Sequence, residues 1–179
     1  MGPIELLFIT IGLIVTLIGL ARGYVKELGN TVIILAVIFL LTFFQEELTS
    51  IMTKVGTDIL GLSAPPNGFL SLFFSGVFIA IVFTSYAGKT LDFQGTPMPP
   101  PGGWLLNLTV GLLNGYLIAG TLWYYQDTFQ YPLRNITGYQ EPLSARAQAM
   151  INYLPPNLFE NPVYWIIPVA VLLILFVRK

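Results

Sequence analysis

Cysteine and histidine are both absent from this 179-residue chain, and charged residues make up only 9% of it. The first two absences remove disulfides, thiol nucleophiles, imidazole bases and the usual ligands of zinc, copper, haem or chlorophyll magnesium. No catalytic residue, no metal site and no enzymatic activity are expected. No cofactor is expected either, although backbone carbonyls and Asn side chains leave a bound lipid, quinone or pigment open. Scarcity of charge points the same way, because soluble domains carry roughly a quarter charged residues, whereas 55% of this chain is apolar. Eight Lys and Arg against nine Asp and Glu leave a formal charge of −1, which provides no electrostatic footprint for nucleic acid. The lipid bilayer is the expected partner.

What is present is a series of apolar runs. A membrane span needs roughly 20 residues of apolar helix, and five stretches come close: about 4–21, 25–44, 69–86, 105–125 and 162–177. The second has its continuous apolar part from Thr31, and the fifth is short and carries Pro168. Residues 1–21 read as a span rather than a cleaved signal peptide, since they begin "MGPIE" and run on into "ARG" without a small-residue cleavage site. No linker or repeat divides residues 1–179, so one all-α transmembrane domain is expected.

Lys and Arg are enriched in cytoplasmic loops. With five spans, Arg22, Lys26, Lys89, Arg178 and Lys179 fall on one side, and Lys54, Arg134 and Arg146 on the other. The rule then places the N-terminus outside and the C-terminus inside. Trp104, Tyr24 and Tyr86 would form the aromatic belt at the inner interface. Phe43, Phe44, Trp123, Tyr124, Tyr125, Tyr164 and Trp165 would form the outer one.

Two outer loops carry apolar residues at helical spacing. Leu48, Ile51, Met52, Val55, Ile59 and Leu62 mark an amphipathic interfacial helix over about 46–62. Leu143, Ala147, Met150, Ile151 and Leu154 mark another over about 142–154, between Pro142 and Pro155. Either could instead pack on the bundle or on a partner. The inner loop "KTLDFQGTPMPPPGGW" contains Pro97 and Pro99 to Pro101, which predict a stiff polyproline turn ended by Gly102 and Gly103.

An ionisable residue at mid-span is the usual mark of an ion path, and none is expected here. Glu5, Arg22 and Lys26 fall at span edges, with Glu27 in the same turn as the two basic residues. The small and polar residues inside the spans form stripes: Gly12, Thr16, Gly19 and Gly23 in the first, and Asn107, Gly111, Asn114 and Gly115 in the fourth. Such residues let helices approach closely and bond across the seam. Helix packing is therefore the expected role, with Asn107 and Asn114 as the polar contacts to test if a ligand binds there. The stretch "GLARGYVKELGN" reads as a turn: Gly23 permits the reversal, Arg22 and Lys26 set the topology, and Glu27 pairs with one of them at an exposed site.

The hairpin "GLARGYVKELGNTVIILAVIFL", followed by "LLNLTVGLLNGYLIAGTLWYYQ", resembles the CvpA family of bacterial inner-membrane proteins, named for colicin V production. The resemblance rests on an RGxxxEL turn, here Arg22, Gly23, Glu27 and Leu28, and on a Gly-rich span with Gly111, Asn114, Gly115 and Gly120. It covers most of residues 4–125. The Pro-rich inner loop and the apolar tail from Pro162 depart from the family's pattern. The resemblance implies a bacterial cytoplasmic-membrane protein linked to toxin production or envelope maintenance, with no catalytic residues to carry over. Three roles follow: an accessory subunit packed against other membrane-protein subunits of a larger complex, such as an energy-converting one; a CvpA-like envelope factor; and a small transporter.

Overall fold

The structure, a computed structural model, describes residues 3–88, 91, 93, 98–137, 139 and 142–177. Lys89, Pro97, Arg178 and Lys179, which entered the charge and loop expectations above, lie outside the described residues. All regular structure among the described residues is helical. The helices are α1 (Pro3–Arg22), α2 (Tyr24–Phe43), α3 (Gln45–Lys54), α4 (Asn67–Ala87), α5 (Gly102–Thr128), α6 (Arg134–Thr137), α7 (Ala145–Ile151) and α8 (Ile166–Val177). A π-turn, Val55–Ile59, extends α3, and two short 3₁₀ turns, Pro155–Asn157 and Pro162–Trp165, precede α8.

Four helices, α1, α2, α4 and α5, are long and apolar enough to cross a bilayer, the architecture of a membrane protein. The fifth expected span is shorter. Asn161 caps a 3₁₀ turn over Pro162–Trp165, and only the 12 residues of α8 then follow as α-helix, with Pro168 in its first turn. A helix of that length rises about 18 Å, against a hydrocarbon core of about 30 Å. The chain meets this short helix from the other side. Phe93, in the loop after α4, packs edge-on against Phe176 near the end of α8, with ring centroids 5.2 Å apart. The carbonyl of Leu91 in the same loop rests on Gly29 of α2, where a side chain would collide with it. Leu91 therefore lies against α2 and Phe93 against the end of α8.

Helix α5 is the hub, packing against α1, α2 and α4, while α2 also carries α4 and α8. The main core lies between α2, α4 and α5. Ile34, Ile38, Phe74, Phe78, Leu117 and Tyr125 form its centre, with Phe74 stacked on Tyr125 at 5.2 Å. Lipid tails are as apolar as these side chains, so close van der Waals fit rather than water exclusion holds such a core together.

The two loop helices differ from the amphipathic ranges. Helix α3 begins at Gln45, and the π-turn carries the spiral only to Ile59 before Gly61 (φ 65°) breaks it. Leu48 and Met52 touch the core while Ile51, Ile59, Leu60 and Leu62 stay exposed. The expected helix over 142–154 shrinks to the seven residues of α7, because Ser144 caps its start and the chain turns at Asn152 before Pro155. It does not lie free in an interface. Ala147 and Leu154 are buried with Ile4, Phe8, Trp123 and Tyr131, and Phe8 stacks on Trp123 at 5.2 Å.

The expected aromatic belt is also divided. Phe43, Phe44 and Tyr164 are exposed, but Trp123, Tyr125 and Trp165 are core residues. Nor is Pro99–Pro101 extended polyproline, which has no internal hydrogen bonds. Gly103 N donates to Pro99 O at 3.1 Å and Leu105 N to Pro101 O at 3.2 Å, so the prolines curl directly into α5.

Candidate functional site

The site begins with one residue. Gly23 alone separates α1 from α2, and its φ of 88° lies in the left-handed region that glycine adopts without cost. Such a short reversal leaves no room for a side-chain cap on the same strand of chain. The cap comes from another helix: Tyr24 N donates to Asn107 Oδ1 of α5 at 2.7 Å. Gly23 has no closer neighbour than that oxygen, so it belongs to the turn and not to the packing stripe of α1.

Because α2 starts at Tyr24, both Lys26 and Glu27 fall in its first turns, about 100° apart around the axis. Lys26 faces outward and is exposed, whereas Glu27 faces inward and is 0% exposed. This overturns two expectations, that Glu27 pairs at an exposed site and that no ionisable residue is embedded in the bundle.

The Glu27 carboxylate is enclosed by four helices. Tyr86 OH of α4 donates to Oε2 at 2.8 Å, and Asn114 Nδ2 of α5 donates to the same oxygen at 2.8 Å. Asn30 Nδ2 reaches Oε1 at 3.3 Å. Arg22 Nε, at the end of α1, lies 3.1 Å from Oε1, but its N–H points off that line, so the contact is an ion pair rather than a hydrogen bond. The guanidinium is held elsewhere: Nη1 donates to the Tyr86 carbonyl at 2.6 Å, and its carbon sits 4.9 Å from the centre of the Tyr86 ring. Asn114 also donates to the Glu27 carbonyl at 3.1 Å, and Thr31 Oγ1 lies 2.7 Å from Asn114 Oδ1 and 2.8 Å from that carbonyl. A carboxylate wholly out of water is tolerable only with this density of donors and a counter-charge.

Below the cluster, α1 and α5 meet backbone to backbone. A methyl group on Gly19 would stand 2.8 Å from Gly111 Cα, and one on Gly111 would stand 2.9 Å from the Thr16 carbonyl. One on Gly115 would collide with the Gly12 carbonyl. Thr16 Oγ1 donates to Gly12 O at 2.7 Å and lies 3.3 Å from Gly111 O. The structure thus brings Gly12, Thr16, Gly19, Gly111 and Gly115 into one seam. Arg22, Glu27 and Asn114 stand in the adjoining cluster, and Gly23 and Asn107 at the reversal.

Asn30 carries no expectation from the sequence, Thr31 enters there only as the start of an apolar run, and Tyr86 only as a member of the inner aromatic belt. Once α2 starts at Tyr24, the signal is visible: Glu27, Asn30, Thr31, Ile34 and Ile38 recur at spacings of three and four, the buried stripe of a helix.

A second buried carboxylate stands at the opposite end of α1. Ser144 Oγ donates to Glu5 Oε1 and accepts from Ala147 N at 3.0 Å, tying the start of α7 to α1. Nearby, Trp123 Nε1 donates to Tyr131 OH at 2.9 Å, and Tyr131 OH donates to Asp127 Oδ1 at 3.0 Å. Burial pushes the Tyr131 phenol well above its ordinary range. Among the described residues no three His, Cys, Asp or Glu side chains are grouped to hold a metal ion.

Comparison with known protein families, with curated proteins and with solved structures gave no match.

Proposed function

We propose that the chain is a non-catalytic integral membrane subunit of the bacterial cytoplasmic membrane, with its N-terminus outside, which packs against a larger membrane assembly. The observation that carries this reading is the closure of the Glu27 cluster. Both carboxylate oxygens are engaged by residues of the chain itself, from α1, α2, α4 and α5. Polar groups arranged in this way lock helices together and leave the charge no route to a substrate. A rigid unit with an apolar exterior suits a subunit whose role is to occupy and shape a place in an assembly.

The decisive experiment is gentle solubilisation of native membranes, separation of complexes on a native gel, and mass spectrometry of what migrates with this chain. Stoichiometric comigration with one large complex is the expected result; a monomer or homo-oligomer alone would sink the reading.

One observation favours a second reading, a CvpA-like envelope factor. The two stretches that carry the resemblance are far apart in sequence, yet Arg22, Glu27 and Asn114 from them meet at a single site. A family organised around that contact would keep both stretches. Deletion of the gene separates the readings: loss of toxin export or of envelope stress tolerance with no assembly defect favours the envelope factor.

A further inference from the structure

Helices α1 and α4 are joined at one end by Arg22, whose side chain crosses from the last turn of α1 to the Tyr86 carbonyl of α4. Along the rest of their length they are held apart, since α1 is drawn onto α5 by the glycine seam and α4 is drawn onto α2 and α5 by Phe74 and Phe78. The space between them is a groove of about 390 Å³, open along one side. Its walls are Val15 and Ile18 of α1 and Phe78, Ile79 and Phe83 of α4, its floor is Ile118 of α5, and Arg22 and Tyr86 close one end.

The volume lies within the range of small-ligand sites, about 300–1,000 Å³. An α-helix with its side chains is about 10–12 Å across, so a partner helix would lie over this groove without entering it. A single hydrocarbon chain enters. The polar end then decides what that chain belongs to. Glu27 is sealed behind Arg22 and Tyr86 and lines no part of the groove, while Arg22 remains a quarter exposed. Among the described residues Arg22 Nη2 has no bonding partner, because Nε faces Glu27 and Nη1 is bound to Tyr86. The groove therefore presents an apolar trough ending in one cationic side chain, that of Arg22.

We infer that this groove holds one acyl chain of an anionic phospholipid, with the acidic headgroup against Arg22 Nη2. The site is independent of which assembly the chain joins.

The test uses the full chain purified in detergent and native mass spectrometry after addition of phosphatidylglycerol or phosphatidylcholine with identical acyl chains. One phosphatidylglycerol should be retained per chain, about fivefold or more over phosphatidylcholine, the preference that a single basic residue near a membrane surface supports. Ile79→Trp, which fills the groove from a half-exposed wall position, should abolish retention while the melting temperature stays unchanged. Leu72→Trp on the lipid-facing side of the same helix, outside the groove, should leave retention as it was. The neutral pair Arg22→Gln with Glu27→Gln should bring the two lipids to equal retention. Equal retention of both lipids by the unaltered chain overturns the inference. So does retention that survives Ile79→Trp, or that falls equally with Leu72→Trp.

Discussion

The Tyr86 hydroxyl donates to Glu27 Oε2 at 2.8 Å, joining α4 to α2 through a carboxylate that has no contact with solvent. This bond makes the cluster a joint between parts of the chain distant in sequence, and its strength is open to measurement. Glu27→Ala would leave Arg22, Asn30, Tyr86 and Asn114 facing a hole. Removing one partner from a buried pair costs about 3–5 kcal/mol, a value to be taken toward its lower end because Arg22 is a quarter exposed. Glu27→Gln should cost less, and Tyr86→Phe about 1.5–3 kcal/mol for one hydrogen bond to a charged acceptor. Reversible unfolding in mixed micelles reads all three; stability unchanged in Glu27→Ala would show that the carboxylate does not hold the joint.

The glycine seam gives a prediction with an internal control. Gly115→Ala places a methyl group against the Gly12 carbonyl, which the two backbones accommodate only by separating. Overpacking of this kind costs about 1–3 kcal/mol, and Gly115→Leu should prevent the α1–α5 contact. Gly76, in the middle of α4, has nothing within 4 Å of the same methyl position. Gly76→Ala should therefore be neutral or stabilising by up to about 1 kcal/mol through helix propensity. The same unfolding assay compares them, and equal effects at the two positions would contradict the seam.

Asn107 caps a helix to which it does not belong. Asn107→Ala should weaken the start of α2 by about 1 kcal/mol, and Asn107→Asp should retain the acceptor. Amide exchange at Tyr24 is the sensitive readout, because that N–H loses its partner in the alanine variant alone. Fast exchange in the aspartate variant as well would argue against capping.

Since the chain has no cysteine, single cysteines report sidedness without background. Lys26, Lys54 and Arg134 are all exposed, the first near the reversal at Gly23 and the other two at the opposite end of the bundle. Lys26→Cys should react with an impermeant maleimide only after the cytoplasmic face is opened. Lys54→Cys and Arg134→Cys should react in intact cells; the reverse pattern would invert the proposed orientation.

The long spans were readable because uninterrupted apolar runs leave little ambiguity about a helix, and the small-residue stripes of α1 and α5 stand out against Leu and Ile. Glu27 was not readable in the same way. Reading "GLARGYVKELGN" as one turn put Lys26 and Glu27 together at an exposed edge, whereas the reversal occupies Gly23 alone and the helix has already begun. Neighbours in sequence then separate by about 100°, which sends one charge outward and the other into the bundle. The amphipathic pattern at 142–154 shows a different limit. Spacing identifies an apolar face but does not say whether lipid or protein covers it, and here Ile4, Phe8 and Trp123 do.

The reversal at Gly23 also bears on how the chain enters its membrane. Arg22 and Glu27 are five residues apart, on the two arms of one helical hairpin, so their charges can meet as soon as that hairpin forms. Tyr86 and Asn114 are made later in synthesis and add their hydrogen bonds to a carboxylate already neutralised by its neighbour. The acid is thus delivered to the membrane together with its counter-ion.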